Sequence, residues 1–553
     1  MSPFLEKYKY HLCFAGIGIV YFFNLLIDVM EIDAAQYAAI SREMLESGSY
    51  LQVYQHGHDY LDKPPMLFWL ASLSMRIFGA CNWSYKLPAV FILLLGVYSM
   101  YRFTLLWYSR QTAILAALIL CTTQAFFLIT NDIRTDGILT GFIMLAVWQL
   151  CLFLRNNRLI HLLIGAAAVG AALLSKGPVA VIIIGFCLGG DWLVKRQYHH
   201  FFKPQWLIAL ALIGLLLLPM CYGLYQQFDL HPEKEVYGLK GPSGLKFYFW
   251  TQSFGRITGE STWKSSRTFF YFFHTILWDF QPWILFLIPA LIVRLKDLFQ
   301  SRFKGMMTKE YMTLFGFVLS FIALSLSSYK LPHYIFPLFP FIAVITADFI
   351  VSAVEQNGKL IQILGKLQFG ILHVFFIVPF VAFILFFPLR SFLLHVLVLL
   401  LLLLYWLFYR IFRKADRIVL PTVIAAIAFG LAMSTYFYPN LLQYQSKSVV
   451  AKEMAAKNIG PGRFYTYHTE GFSIDFYLRS IVPSFDMNKM NTYPPGTYVF
   501  TDKIGLDEIL GNSTNYAIIK TYDDYPVTKL KLPFLYYKTR PNRVTHNYLL
   551  MKE

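Results

Sequence analysis

Acidic side chains stand where the polar segments of this chain meet its apolar runs. Asp33 begins a segment, residues 33–45, whose apolar side chains recur at helical spacing, and Asp136 stands at the head of a long apolar run. A carboxylate suits the positive end of a helix dipole, so either residue could serve only as a helix cap. A carboxylate beside a long apolar run is also costly unless it is solvated, paired or used. Both aspartates are therefore candidates for acid–base chemistry.

Basic side chains and a phenol occur in the same kinds of segment. Lys63 precedes two prolines at the start of a second predicted helix, residues 66–79, where a cation is less expected than an acid and so invites an anionic partner such as phosphate. The other members of this set are Lys176, Arg256, Lys330 and Tyr334. We expect them at one membrane level, where cations and a phenol beside carboxylates could bind a lipid phosphate and handle a nucleophile.

Further polar residues of these segments are supporting candidates for the same site. Asp132 and Asp136 are four residues apart, which predicts one shared helical face with Arg134 turned away from it. Asp62 could equally begin the helix that follows it. The supporting candidates are Arg42, Tyr60, Asp62, Asp132, Lys330 and His333.

The composition indicates which elements hold these residues. Of 553 residues, 57% are hydrophobic and 14% are charged, and single soluble cores stop growing at roughly 250–300 residues. A soluble enzyme, a disordered chain and a disulfide-rich secreted domain are therefore excluded. A membrane span needs about 20 apolar residues. About thirteen runs approach that length: 11–28, 86–107, 112–129, 134–154, 159–175, 177–194, 206–224, 275–294, 311–328, 332–352, 368–388, 391–411 and 418–437.

The formal net charge of +17 has a topological explanation. With a cytoplasmic N-terminus, most Lys and Arg residues of the short loops fall on the cytoplasmic side, which is the asymmetry that orients membrane proteins. Nucleic acid is therefore not an expected partner. Five of the six cysteines lie in apolar runs, so neither a disulfide framework nor a metal-type spacing follows. The first run shows no clear cleavage site, and we expect a retained anchor.

These observations predict a mainly α fold, a polytopic membrane helix bundle followed by a small extracytoplasmic α/β domain. Residues 1–438 form the membrane domain, with outer loops 29–85 and 225–274, and residues 439–553 form the second domain. In the latter, the patterns predict helices and strands in alternation. The helices are 446–457 and 505–510, and the strands are 463–468, 497–500 and 516–520.

Five features in chain order carry a resemblance to a known family. Asp33 begins a helix after the first span, Lys63 opens a Lys-Pro-Pro helix start, and Asp136 heads the fourth span. Arg256 follows a Phe-Trp pair in a large outer loop, and Tyr334 lies in a Lys-Leu-Pro-x-Tyr-Ile-x-Pro motif. Over its first 350 residues by motif, and beyond them by layout, the chain resembles the polytopic GT-C glycosyltransferases that include the lipid A aminoarabinose transferases. Protein O-mannosyltransferases are more distant relatives.

The resemblance implies transfer of a sugar from a polyprenyl phosphate of the undecaprenyl type to an acceptor, with inversion of the anomeric configuration, at the outer face of the bacterial inner membrane. It makes Asp33 and Asp136 the catalytic acids, and assigns Lys63, Arg256 and Tyr334 to the donor phosphate. Such cations stabilise the charge that grows on the leaving phosphate. Asp33 would act as a base on a hydroxyl acceptor, whereas a phosphate acceptor would need orientation instead.

The sequence departs from the aminoarabinose transferases at two positions of a metal site. The family has Glu where this chain has Asp62, and His where it has Ser253. No cofactor is certain, and a divalent metal remains an alternative that these differences disfavour. His333 also departs from the family, and it could serve only to cap the outer end of the tenth span.

Other functions stay open at this point. A transporter or flippase of polyprenyl-linked sugars would place polar groups near the bilayer midplane, whereas here the charges gather at one side. A protein O-glycosyltransferase and a structural scaffold are the remaining alternatives. Lipid A, another glycan and a protein all remain candidate acceptors, the sugar is undetermined, and membrane lipids are expected partners.

Overall fold

Helices form most of the structure, a computed structural model that describes residues 3–252, 255–258, 260, 267–300, 309–388, 392–513 and 515–553. The helices are α1 (Pro3–Leu26), α2 (Asp33–Ser47), α3 (Met66–Phe78), α4 (Asn82–Thr104), α5 (Arg110–Cys121), α6 (Gln124–Asn131), α7 (Thr135–Asn156), α8 (Leu159–Lys176), α9 (Val179–Val194), α10 (Trp206–Leu224), α11 (Gly244–Lys246), α12 (Gly255–Thr258), α13 (Tyr271–Asp279), α14 (Ile284–Gln300), α15 (Met312–Leu326), α16 (Phe339–Glu355), α17 (Lys359–Leu385), α18 (Phe392–Ile411), α19 (Asp416–Ala432), α20 (Tyr438–Leu441), α21 (Ser446–Ala456), α22 (Phe472–Leu478), α23 (Lys503–Asn512) and α24 (Leu532–Leu535). The strands are β1 (Tyr54–Gln55), β2 (His58–Asp59), β3 (Glu235–Val236), β4 (Leu239–Lys240), β5 (Phe464–Tyr467), β6 (Tyr498–Thr501), β7 (Tyr516–Asp524) and β8 (Thr545–Lys552).

The apolar helices make this chain a multi-pass membrane protein, but the predicted count of thirteen spans is not confirmed. Eight helices in the described ranges are long and apolar enough to cross a membrane, or nine if the pair α5 and α6, bent by 55°, is one span. The other predicted runs are helical but short or broken. For example, α9 has 16 residues, about 24 Å at 1.5 Å per residue, against a hydrocarbon core of about 30 Å.

Burial separates the inner helices from the outer ones. Most side chains of α7 are buried, and so are most of those of α16. In contrast, α10, α17 and α18 expose many leucine, isoleucine and valine side chains. An apolar outer surface is expected where lipid is the solvent, and the helical backbone satisfies its own hydrogen bonds there. The core of the bundle therefore lies around α7 and α16.

The segment between α1 and α4 contains α2 and α3, whose predicted starts at Asp33 and Met66 are confirmed, as is the end of α3 at Gly79. Gly48, at φ +69°, closes α2 in the left-handed conformation typical of a helix C-terminus. The helical spacing of its apolar side chains predicts a helix with one buried face, but α2 is enclosed on more than one side. Most residues of 34–44 are buried, because α3 packs against one side of α2 and α22 of the C-terminal segment covers another.

The C-terminal segment contains the predicted α/β arrangement. Its sheet has the order β5-β6-β8-β7, with β5 and β6 parallel and the other neighbours antiparallel. Separate apolar clusters pack on the sheet, one with α21 and α22 and another with α23. The predicted helices and strands are all present, whereas α22 and β8 were not predicted. The domain boundaries at 438 and 439 remain a prediction.

Candidate functional site

Asp33 is held by an arginine that reaches it from another element. Asp33 is the first residue of α2, and its Oδ2 accepts a hydrogen bond from Nη1 of Arg134. Arg134 also donates to Asp132 from Nε at 2.9 Å, with Nη2 2.8 Å from the same oxygen. Burial disfavours the charged guanidinium, but Asp132 and then Asp33 outweigh it and raise the pKa of Arg134. The arginine thus ties two carboxylates together.

This arrangement corrects one prediction about the turn before α7. Asp132 and Asp136 were expected to share a helical face, with Arg134 turned away. Instead α6 ends at Asn131 and α7 begins at Thr135, and both Asp132 and Arg134 have non-helical backbone. Because the turn breaks the helix, Arg134 faces Asp33 and Asp132, while Asp136 belongs to a neighbouring group of residues.

Asp136 forms the centre of that neighbouring group. Its side chain is only 2% exposed, and its Oδ1 accepts a hydrogen bond from Nζ of Lys176. Lys176 is the last residue of α8, where a cation suits the helix dipole, and its Nζ lies 3.8 Å from the ring centroid of Tyr334. Nε2 of His333 is 3.8 Å from Oδ2 of Asp136. A lysine and a histidine therefore flank one buried carboxylate, and a tyrosine ring packs against the lysine.

Lys63 and Asp62 form a third part of the site. Nζ of Lys63 lies 2.5 Å from Oδ2 of Asp62, and Nε2 of Gln252 donates to Oδ1 of Asp62 at 2.7 Å. The Asp62 carboxylate is thus occupied by a cation and an amide. In the described ranges, no three His, Cys, Asp or Glu side chains are grouped as a metal site would need, and Ser253 lies outside those ranges. The donor set around Asp62 does not fit a divalent metal.

The three parts line one polar cavity of about 290 Å³. It is bounded by Ile32, Asp33, Gln36, Tyr37, Tyr60, Asp62, Lys63, Thr135, Asp136, Lys176, Tyr237, Tyr329, Leu331, His333 and Tyr334. Burial, and then the charge of Asp62, raises the pKa of Tyr237 to about 12. The same two causes raise the pKa of Tyr60 well above its ordinary value. At neutral pH both phenols keep their protons and can donate hydrogen bonds.

A second, apolar cavity of about 100 Å³ adjoins the polar one. The two share the lining residues Lys63, Asp136, Lys176 and Tyr334. Its remaining lining is mostly apolar and comes mainly from α7, α9, α15 and the segment Pro332–Leu338. These residues are Leu139, Val179, Ile182, Ile183, Ser320, Ala323, Leu324 and Pro337, and Gln252 and Ser327 complete the lining. Two lysines, an aspartate and a phenol therefore stand where a polar space meets an apolar one.

The structure brings together most of the predicted site residues. The polar cavity contains the predicted residues Asp33, Tyr60, Asp62, Lys63, Asp136, His333 and Tyr334, and Lys176 from the wider set. Asp132 does not line this cavity, but Arg134 pairs with both Asp132 and Asp33 and so links them. The side chain of Arg256 lies outside the described residues.

Like Asp132, the supporting candidates Arg42 and Lys330 do not line the polar cavity. Arg42 is buried in α2, where its Nη1 donates to Glu46 at 2.6 Å. Nζ of Lys330 donates to the backbone oxygen of Ser327 at 2.6 Å. Nζ of Lys330 also donates to the backbone oxygen of Arg267 at 3.3 Å.

The residues that sequence reasoning missed are Arg134, Tyr37, Tyr237 and Tyr329. A basic residue between two acids was a usable signal for Arg134, since it has a carboxylate within two residues on either side. The tyrosines carried no such signal, because tyrosine is frequent in this chain.

Comparison with known proteins finds that the chain is similar to membrane glycosyltransferases. Residues 62–222 match the family model described as dolichyl-phosphate-mannose-protein mannosyltransferase. Over 342 residues the chain is 25% identical to undecaprenyl phosphate-alpha-4-amino-4-deoxy-L-arabinose arabinosyl transferase 2 of Proteus mirabilis, covering 61% of this chain and 58% of that protein. It is also 25% identical to an uncharacterized protein of Aquifex aeolicus over 86% of this chain and 87% of the relative. The match to the Proteus protein thus spans less than two thirds of that relative.

A solved structure extends the similarity to nearly the whole chain. The crystal structure of ArnT from Cupriavidus metallidurans bound to undecaprenyl phosphate superimposes with a TM-score of 0.72. The match covers 98% of this chain and 97% of that one at 17% identity. Similarity at this level shows the fold. The predicted GT-C fold and the predicted resemblance to the aminoarabinose transferases are therefore confirmed.

Proposed function

We propose that this chain, which has the GT-C fold and resembles the aminoarabinose transferases, transfers a sugar from a polyprenyl phosphate to an acceptor. The enzyme would lie in the bacterial inner membrane, with the site and the C-terminal domain on the periplasmic side. One observation carries the proposal. Two lysines and a phenol stand at the junction of a polar and an apolar cavity, and a lipid-linked sugar phosphate has its charge between a polar and an apolar part.

In the proposed complex the donor phosphate occupies that junction. Lys63 and Lys176 meet the phosphate oxygens, the isoprenoid chain extends along the apolar cavity, and the sugar enters the polar one. The bond from the anomeric carbon to the phosphate oxygen breaks, and negative charge grows on the departing polyprenyl phosphate. Lysines fixed beforehand by Asp62 and Asp136 would stabilise that charge without further reorganisation.

Asp33 is the proposed base. Its carboxylate is about one third exposed toward the polar cavity, and Arg134 fixes its orientation. With a hydroxyl acceptor, Asp33 takes the proton as the acceptor oxygen attacks the anomeric carbon from the face opposite the phosphate, which inverts the configuration. With a phosphate acceptor there is no proton to remove, and Arg134 and Asp33 would orient the acceptor instead. Lipid A, another glycan and a protein all remain candidate acceptors.

The experiment that tests the function measures polyprenyl phosphate released by the purified full-length protein. The donor is undecaprenyl phosphate-alpha-4-amino-4-deoxy-L-arabinose, which the name of the Proteus relative contains. The first acceptor is lipid A, one of the three candidate acceptors, and lipids that co-purify, identified by mass spectrometry, guide further pairs. We expect Asp33→Asn to lower turnover at least about 100-fold, because general base catalysis contributes about that much. Its melting temperature should stay near that of the parent protein.

Glu46→Gln is the matched control, since Glu46 is a carboxylate on the same helix outside the cavity. It should keep full turnover. Full activity in both Asp33→Asn and Asp136→Asn would refute the assignment of the catalytic acids. Transport of intact donor across a vesicle membrane, without release of polyprenyl phosphate, would support the flippase alternative instead.

A further inference from the structure

A third cavity, of about 1170 Å³, opens at the end of the helix bundle opposite to the polar and apolar cavities. Its walls are the first turns of α1, the second half of α4, the first turns of α5 and the turn between α18 and α19. The polar cavity lies beyond the other end of α1, where α2 follows. The two cavities are therefore on opposite sides of the membrane. We call this third cavity the basic cavity, and define it by the lining residues Lys7, Lys9, Arg110, Arg413 and Lys414.

The two acidic side chains that line the basic cavity, Glu6 and Asp416, share one partner, Lys9. Lys9 is buried, and its Nζ lies 2.6 Å from Oε1 of Glu6 and 2.7 Å from Oδ2 of Asp416. The hydroxyl of Tyr10 donates to Oδ1 of Asp416 at 2.7 Å. This cluster fixes the start of α1 against the start of α19. Both carboxylates that line the cavity are therefore paired with Lys9.

Four exposed cations remain around the opening: Lys7, Arg110, Arg413 and Lys414. In the part of the chain that the structure describes, none of the four forms an ion pair with a carboxylate. They come from three separate parts of the sequence, so the fold alone brings them together. Four converging cations create a positive potential that favours an anion.

The wall of the basic cavity facing the membrane is apolar and aromatic. Phe14, Leu94 and Tyr98 are each more than a third exposed, and Val97, Tyr101, Ile114 and Ile411 complete the lining. A free inorganic anion would use only the cations and would leave this wall unused. A molecule with an anionic head and apolar chains would use both. At about 1170 Å³ the space exceeds the roughly 300–1,000 Å³ of pockets for drug-sized ligands.

We propose that the basic cavity binds an anionic glycerophospholipid, with the phosphate among the four cations and the acyl chains along the apolar wall. On the predicted topology this side is cytoplasmic, where anionic lipids attract cations next to the membrane. The bound lipid would join α1, α5 and the turn between α18 and α19. This site is separate from the proposed donor site and does not depend on the sugar transferred.

The test measures thermal unfolding of the delipidated full-length protein in detergent during titration with dioleoyl phosphatidylglycerol. A ligand of the folded state raises the melting temperature as it binds. We expect a saturable increase, with an affinity that falls as salt is added. Dioleoyl phosphatidylcholine tests the need for net negative charge, and inorganic phosphate tests whether the anion alone suffices. Equal stabilisation by either of these two would refute the proposal.

The variant is the triple substitution Arg110→Gln, Arg413→Gln and Lys414→Gln. Its apparent affinity for phosphatidylglycerol should fall at least about tenfold. The matched control is Arg158→Gln with Lys359→Gln and Lys366→Gln, three exposed cations at the same end of the bundle but outside the cavity. This control should titrate like the parent protein. Should the triple variant not fold, Lys414→Gln alone should weaken binding about fivefold. A variant that titrates like the parent protein would overturn the proposal.

Discussion

Lys63 and Lys176 are the side chains on which the proposed chemistry most depends. They come from an outer loop and from the end of α8, yet both line the polar and the apolar cavity. Each is paired with an aspartate, but the two aspartates differ. The Asp62 side chain is 24% exposed and that of Asp136 only 2%. Removing either lysine should therefore weaken phosphate binding, but the effect on stability should differ.

We predict that Lys63→Ala raises the apparent KM for the donor about 10- to 100-fold, because a hydrogen bond to a charged group contributes about 1.5–3 kcal/mol. Its melting temperature should change little, since Asp62 can be solvated. Lys176→Ala should raise KM similarly and also lower the melting temperature, because it leaves Asp136 as a buried, uncompensated charge. Steady-state kinetics and thermal unfolding measure the two effects. Lys234→Ala, in an outer-loop ion pair with Asp59, is the control, and an unchanged KM in Lys63→Ala would exclude the phosphate role.

At the scale of elements, the C-terminal segment holds the loop that leads into α2. The backbone N–H of Glu31 donates to Oε1 of Gln445 at 2.9 Å, and a carboxylate oxygen of Glu31 accepts from the backbone of Ser473 at 2.8 Å. His56, in the hairpin after α2, lies 2.7 Å from Asp475 of α22. These contacts begin only two residues before Asp33. The C-terminal segment therefore takes part in positioning the proposed base.

The contact between His56 and Asp475 predicts a pH dependence of stability. The hydrogen bond to Asp475, opposed by partial burial, raises the pKa of His56. A raised pKa in the folded state means that the protonated pair stabilises the fold fully below the ordinary pKa of about 6.5. This contribution is lost as the pH rises through the raised value. The difference in melting temperature between the parent protein and His56→Gln should therefore be largest near pH 6 and shrink toward pH 9.

His58→Gln is the control for this measurement, since His58 is an exposed residue of the same hairpin. It should show no such trend. A difference for His56→Gln that is constant from pH 6 to pH 9 would mean that protonation of His56 does not contribute to the contact.

At the scale of the whole molecule, the bundle depends on close approach between helices. Lipid chains are as apolar as leucine, so small residues that let backbones meet are important for association in a membrane. Gly141 of α7 faces α4, where a Cβ on Gly141 would lie 2.2 Å from the backbone oxygen of Ile92. Gly96, one turn further along α4, also lies against the backbone of Gly141. Since α7 begins at Thr135, this contact also supports the position of Asp136.

We predict that Gly141→Ala destabilises the protein by about 1–3 kcal/mol, the usual cost of overpacking. The added methyl would press on backbone, which cannot move aside as a side chain can. Thermal unfolding of the purified variant measures the loss. Gly185→Ala is the matched control, because this glycine also lies within an apolar helix but has open space where the Cβ would be. An equal or higher melting temperature for Gly141→Ala would contradict the described packing of α4 on α7.

Features that depend only on neighbouring residues could be predicted from the sequence. The apolar runs, the helix starts at Asp33 and Met66 and the alternation of helices and strands after Ser446 were all predictable. The reason is that composition, periodicity and helix-start residues act within one or two turns of chain. The count of spans was less predictable, because a run of apolar residues does not show where a helix bends or stops.

Which of these residues contact one another could not be predicted from the sequence and is seen in the tertiary structure. Arg134 was expected to face away, yet it joins Asp33 to Asp132 across 101 residues of chain. Lys176 lies against Tyr334, and α22 covers α2 although more than 400 residues separate them. The cations of the basic cavity likewise come from both ends of the membrane domain. Such contacts follow from how the helices pack, and the local pattern of a sequence carries no information about which distant side chains share a cavity.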